Sequence, residues 1–318
     1  MRLKKLLATA LVGTMVITSL VGCGNKAEEK SLSAINLTYV KAPLNVPSIL
    51  QKNDELFANE FKEDGITVNW HEITSGPDQT AALAAGELDF LHALGGTSAL
   101  IAASNGVELE ILNTYSRSPK GFMIVANNEA ITSAKDLVGK KVAGPKGTIL
   151  HQVLIAALQA EGYSIDDVEF IQMTIPDAAA ALADGSVDAA LTAGPNALTA
   201  INSGSHVVAT GEGLVDGIIV TAVSKKFADE NPEIVERFMK VEEETLAYVK
   251  DNYEEAMEKV SAEVGLTVDQ VKEMYDWYDF SLDITDADIK ALEETQDFLI
   301  ENELQETKVD INSLIYKK

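Results

Sequence analysis

From Ile35 onward, apolar residues recur first with a period of two and then with a period near 3.6, so strands and helices follow one another along the chain. Residues 35–40 read as a short strand, 47–61 has helical spacing, and 66–73 alternates Ile66, Val68 and Trp70 with polar partners. Gly76-Pro77 opens a helix through residue 86, proline being suited to a first turn whose N–H has no helical partner. Residues 89–94 and 110–115 read as strands on either side of a helix at 96–105. This alternation predicts a parallel, doubly wound lobe.

The cycle then restarts, with strands at 122–126 and 141–143, a helix at 148–161, and a strand at 168–173. A helix at 177–183, a strand at 188–191, a helix at 195–202 and a strand at 206–209 follow. Residues 218–223 are read as the return of the chain to the first lobe. Beyond Asn231 the pattern is helical and highly charged, with breaks near Asn252, Gly265 and Asp283, and these helices are expected to cover the first lobe. The expected organisation is lobe 1 at 35–120 with 216–318 and lobe 2 at 121–215. Two crossings, near 118–123 and 212–218, form a hinge. Ligands of open α/β sheets lie beyond the carboxyl ends of the strands, so the loops after the strands should face a cleft between the lobes.

The first residues carry a different pattern. Arg2, Lys4 and Lys5 precede an apolar run at 6–21 that is short and interrupted by Thr9, Gly13, Thr14, Thr18 and Ser19, which reads as a signal peptide over 1–22 and not as a membrane span. The run ends at Leu20-Val21-Gly22-Cys23, which resembles the lipobox of bacterial lipoproteins, whose cysteine receives diacylglycerol and becomes the new N-terminus. Residues 23–34 are polar and read as a tether. Acyl chains contribute roughly 0.8 kcal/mol per buried CH₂, so lipidation at Cys23 would hold the protein on the membrane without spanning it.

Charge narrows the partners. The chain carries 25 basic and 50 acidic residues, a net charge of −25. Removing Arg2, Lys4 and Lys5 with the signal leaves 22 basic residues and a net charge of −28. Such a surface repels nucleic acid. Cys23 is the one cysteine, so no disulfide forms within the chain and stability rests on core burial.

Five stretches occur in an order that carries a family resemblance. They are Ser75-Gly76-Pro77 through Ala82-Leu83-Ala84-Ala85-Gly86-Glu87-Leu88-Asp89; Leu94-Gly95-Gly96-Thr97 with Ala102-Ala103-Ser104-Asn105-Gly106; Asp136-Leu137-Val138-Gly139-Lys140-Lys141-Val142-Ala143; Lys146-Gly147-Thr148 with His151; and Asp184-Gly185-Ser186-Val187-Asp188-Ala189. Together they are similar to the nitrate, sulfonate, taurine and thiamine-precursor branch of ABC solute-binding proteins. The resemblance implies a type II periplasmic-binding-protein fold, with two doubly wound lobes, a two-segment hinge and C-terminal helices on lobe 1. It implies a monomer outside the cytoplasm that captures a small anionic organic solute, sulfonate-like or taurine-like, and delivers it to an ABC permease and its ATPase. The alternatives are a thiamine pyrimidine precursor, a nitrate-like anion, or an enzyme of the pyrimidine-synthase type on the same fold. One stretch departs from the pattern: alkanesulfonate-binding relatives often place a tryptophan and an aspartate before the proline where this chain has Ala193-Gly194-Pro195-Asn196.

Helix N-termini suit anionic oxygens, because their unpaired N–H groups carry about half a positive charge. Gly96-Thr97, Gly147-Thr148 and Pro195-Asn196 are the candidate ends, with Thr97 and Thr148 each adding a hydroxyl. Beyond the signal segment only Arg117 and Arg237 supply guanidinium groups. Arg117 lies by the crossover, where cleft and hinge roles compete, as they do for Lys41 after the first strand; Arg237 reads as a solvated helix charge. His151, one turn into a helix, is either an anion donor or a packing residue. Lys146 lacks the order of a phosphate loop. His71, His92 and His206 show no metal-ligand spacing, no Gly-x-Ser-x-Gly or His-Glu-x-x-His motif occurs, and neither cofactor nor catalytic residue is expected.

Overall fold

The computed structural model describes residues 32–41 and 43–317. The expected signal peptide at 1–22, Cys23 and the tether up to residue 31 lie outside the described residues. Among the described residues, ten strands form two sheets. The first contains β1 (Ala34–Tyr39), β2 (Thr67–Glu72), β3 (Phe90–Gly95), β4 (Leu109–Arg117) and β10 (Ile218–Ser224) in the order β2-β1-β3-β10-β4. The second contains β5 (Phe122–Ala126), β6 (Lys141–Gly144), β7 (Glu169–Gln172), β8 (Ala189–Ala193) and β9 (His206–Thr210) in the order β7-β6-β8-β5-β9. Residues from Ser33 on form one compact unit.

Each sheet has the same arrangement, and in each one strand runs against the rest. β10 is antiparallel to β3 and β4, and β5 is antiparallel to β8 and β9. The wholly parallel lobe expected from the β-α alternation is corrected by this. β5 and β10 are the strands that have just crossed from the other sheet. They therefore enter at the end where the parallel strands finish, and run the opposite way.

The crossings are tied together by backbone hydrogen bonds. Ser118 N donates to Gly217 O at 3.2 Å, and Gly211 N donates to Pro119 O at 3.0 Å. The two connecting segments thus lie side by side.

The first sheet is flanked by α1 (Val46–Asn53), α2 (Leu56–Phe61), α3 (Gly76–Ala84) and α4 (Gly96–Ser104); the second by α5 (Ile149–Ala160), α6 (Ile175–Asp184) and α7 (Gly194–Asn202). The single helix expected over 47–61 is two, because Glu55 takes a left-handed φ of 55° and no helix runs through that geometry. Asn53 and Asp54, whose side chains compete for backbone groups, precede the break. After β10 come α8 (Lys225–Glu230), α9 (Pro232–Asp251), α10 (Tyr253–Val264), α11 (Val268–Tyr275), α12 (Asp286–Glu301) and α13 (Ile311–Leu314). α9 and α10 pack on α1, α12 packs on α4, and α13 lies against β4, so this tail covers the first lobe.

Central strands are buried on both faces, which is why β3 reads Phe90-Leu91-His92-Ala93-Leu94 almost without a polar break. One buried carboxylate joins tail and sheet. Glu242 of α9 accepts hydrogen bonds from Asn113 Nδ2 of β4 at 2.7 Å and Thr221 Oγ1 of β10 at 2.8 Å. Such a group is tolerated in a core only when its oxygens are satisfied.

Candidate ligand-binding site

A cavity of about 60 Å³ lies where the strand ends of the two sheets meet. Its first-lobe wall contains Val40, Pro43, Thr74, Gly76, Gln79, Ala93, Gly95, Ser98 and Ile219. Its second-lobe wall contains Phe122, Pro145, Thr148, Ile149, Leu150 and Ile175. Most of this surface is apolar, and none of the described residues that line it is ionisable. The space is small, so it suits a small solute.

β3 is distorted where it forms this wall. Three steps of β3, from Leu91 to Leu94, face two of β10, from Ala222 to Val220, so β3 carries an extra residue. Ala93 sits within this bulge at a φ of 68°, a conformation few residues other than glycine adopt. Bulges of this kind re-aim side chains beside binding sites.

Three helix starts border the cavity. α3 begins at Gly76 and α4 at Gly96, and neither has a side-chain cap among the described residues, which leaves first-turn N–H groups for a guest. α5 has Thr148 as its N-cap, with Thr148 Oγ1 accepting from His151 N at 3.5 Å and donating to Pro145 O at 2.8 Å. The Thr148 hydroxyl lines the cavity, but its proton is already committed.

The two lobes touch directly around the cavity. Ser98 Oγ donates to Gly147 O at 2.8 Å, and Thr97 Oγ1 donates to Gln152 Oε1 at 2.7 Å. Farther out, Gln159 Nε2 donates to Asn302 Oδ1 at 2.8 Å.

Of the residues singled out from the sequence, Thr148 lines the cavity and the others take different places. Thr97 is turned to Gln152. Gly96 is dictated by packing, since a Cβ there would stand 2.9 Å from Leu292 Cδ2 and 3.1 Å from Ile218 O. Gly147, with a φ of 71°, offers its carbonyl to Ser98. His151 is buried against Phe170, and burial, helped by the nearby Lys146 charge, pulls its pKa down to about 4, so it is neutral at pH 7. A neutral, enclosed ring is a packing group and not a cationic donor.

The two cations are also engaged elsewhere. Lys41 Nζ pairs with Glu263 at 2.9 Å. Arg117 Nε and Nη2 reach Asp288 at 2.5 and 2.7 Å, a bidentate pair at the base of the tail. Burial alone would raise the Asp288 carboxyl, but hydrogen bonds from Arg117 and Thr285 outweigh it and hold the pKa down at about 2. Asn196 is half-buried inside α7 and is not among the lining residues. The start of α7 is closed off, since a Cβ on Gly194 would stand 2.6 Å from Leu44 N of the first lobe.

Thr74, Gly76, Gln79 and Ser98 also line the cavity, beyond the contacts the sequence predicts. A signal for the first three existed in Ser75-Gly76-Pro77, which marks a helix start directly after a strand. Nothing in the sequence distinguished Ser98 or the bulge at Ala93.

Two α/β lobes joined by paired crossings, with a cavity at their strand ends, define the fold class of the periplasmic binding proteins. Residues 60–256 match the family model described as NMT1/THI5 like, and the chain belongs to that family. It is 30% identical over 96% of its length to a Bacillus subtilis (strain 168) protein named for binding aliphatic sulfonates, covering 93% of that relative. It is 30% identical to the taurine-binding periplasmic protein of Escherichia coli (strain K12), over 65% of this chain and 64% of the relative. The alkanesulfonate-binding protein SsuA from Xanthomonas axonopodis pv. citri, solved bound to MOPS, superimposes with a TM-score of 0.81 at 24% identity, covering 90% of this chain and 99% of that one.

Proposed function

We propose that this protein is the solute-binding component of an ABC importer and that it captures a small aliphatic sulfonate between its lobes. The observation that carries the reading is the cavity itself: uncapped first turns of α3 and α4 border an apolar space whose described walls contain no ionisable side chain. Helix-end N–H groups hold a strongly acidic anion without a counter-cation, and the apolar walls accept its carbon chain. The relatives named for sulfonates and taurine support the same reading. Relatives that match nearly the whole chain are named as binding proteins, which supports capture of a solute over catalysis.

In this reading the two lobes, 35–120 with 216–318 and 121–215, close about the paired crossings when solute enters, and a monomer presents the closed form to a permease. Lipid on Cys23 keeps it at the outer face of the membrane. Calorimetry with short alkanesulfonates, sulfate, nitrate and a hydroxymethylpyrimidine tests the assignment. Sulfonates should bind most tightly; tight binding of the pyrimidine with no response to any sulfonate would overturn it. Labelled palmitate should enter the wild-type protein and not Cys23→Ala.

A further inference from the structure

Gly194 opens α7 in the second lobe, where it is buried at a φ of 51°. A Cβ at this position would stand 2.6 Å from Leu44 N, 3.0 Å from Pro43 C and 3.1 Å from Pro43 Cα, all backbone atoms of the first lobe. The tip of a long side chain swings away from such a group, whereas packed backbone does not.

Both sides of this contact are held in place. Leu44 is fully buried, its N–H donates to the Tyr278 hydroxyl at 3.1 Å, and Asn45 Nδ2 donates to Val40 O at 2.9 Å. Gly194 directly follows β8, and its N–H donates to Gly121 O at 3.2 Å. An added side chain is therefore accommodated most readily by moving one lobe from the other.

The contact lies between the cavity and the crossings. Pro43 meets the Gly194 position and also lines the cavity, as does Phe122, the residue after Gly121. On the other side, Gly121 N donates to Ser118 O of the crossing at 3.2 Å. A spacer here acts on the cleft side and close to the pivot, so a small separation at the floor of the cleft grows toward its mouth. Gly194 itself is not among the lining residues, so a substitution there leaves the cavity walls as they are.

We infer that Gly194 is a positioning residue for solute capture: its missing side chain lets the second lobe seat on the Pro43–Leu44 backbone, and any side chain there holds the cleft open. The inference rests on capture between closing lobes and not on which solute is captured.

Gly194→Asn tests this, because asparagine tolerates a positive φ and still carries the Cβ. Gly185→Asn is the control, since Gly185 has a φ of 80° in the same lobe and a Cβ there meets nothing within 4 Å. Calorimetry of the full chain with ethanesulfonate should show Gly194→Asn binding at least roughly tenfold more weakly than the wild type, and Gly185→Asn binding as the wild type does. Small-angle scattering should give Gly194→Asn the larger radius of gyration, and melting checks that each variant folds. Wild-type affinity in Gly194→Asn, an unchanged radius, or a variant that does not fold, which would make the glycine a requirement of the second lobe alone, would overturn the inference and leave the solute-binding reading standing. If the wild type does not bind ethanesulfonate, the sulfonate reading is what fails. The radii of the ligand-free proteins then decide Gly194, a larger one for Gly194→Asn supporting the inference and equal ones overturning it.

Discussion

Ser98 of the first lobe gives its hydroxyl proton to the carbonyl of Gly147 in the second, at 2.8 Å, beside a cavity that Ser98 lines. The contact joins the first turn of one cavity helix to the turn that starts another. With Thr97–Gln152 and Gln159–Asn302 it forms a set of direct bonds between the lobes in which no solute takes part. The contact between the two lobes therefore rests on the protein's own hydrogen bonds.

Thr97→Val should shift the ligand-free protein toward an open form. The substitution leaves Gln152 Oε1 buried without its donor only when the lobes are closed, disfavouring that state by about 1–3 kcal/mol. Adding Gln152→Leu replaces both partners with apolar groups and should restore much of the loss. Small-angle scattering should show a larger radius of gyration for the single variant than for the wild type or the double variant. Identical profiles for all three would rule out the latch.

Thr148→Val should lower the melting temperature more than it lowers affinity. Thr148 is the N-cap of α5, and losing such a cap costs about 0.5–2 kcal/mol. Its proton is held by Pro145 O, so a bound anion gains little from it. A large fall in affinity at unchanged melting would place the hydroxyl on the solute instead.

His151 should make stability fall with acidification in one defined window. Its folded pKa is about 4, below the ordinary value of 6.5, so the unfolded chain takes up a proton first. The stability this residue contributes is present above pH 6.5 and is lost as the pH falls through 4, on the order of 3 kcal/mol in all. Urea unfolding of His151→Leu should lack that component, and affinity for an anion should not weaken from pH 6 to 8. Affinity that drops across that range would mean a protonated histidine serves the ligand.

Asp288 acts at lower pH. Its carboxyl is held at about 2, below its usual 3.8, by the bonds from Arg117 and Thr285, so its contribution is present above pH 4 and disappears as the pH falls through 2. Asp288→Asn should destabilise the protein at neutral pH by about 3 kcal/mol, since it breaks an enclosed ion pair, and should flatten the acid limb of the stability curve. A wild-type acid limb retained in the variant would show that other carboxylates carry it.

What the sequence determined by itself was local or repetitive. Alternating apolar periods placed nearly every strand and helix, and restarting the cycle at Phe122 with a late return at Ile218 was enough to separate two sheets. Gly76-Pro77 and Gly147-Thr148 marked helix starts, because restricted backbones and capping hydroxyls act within a few residues of themselves. Which of those starts reaches the cavity was decided only by tertiary structure. Arg117 lies beside the crossover in sequence, but Asp288, 171 residues away, occupies its guanidinium. Thr97 and Ser98 are adjacent hydroxyls in one turn, and only the approach of the second lobe turns one to Gln152 and the other to the rim of the cavity. The antiparallel course of β5 and β10 and the bulge at Ala93 arise in the same way. Periodicity records what each residue's own backbone and burial require, whereas partners far apart in the chain meet only when the sheets are assembled, and at this site those distant partners fix which polar atoms remain for the solute.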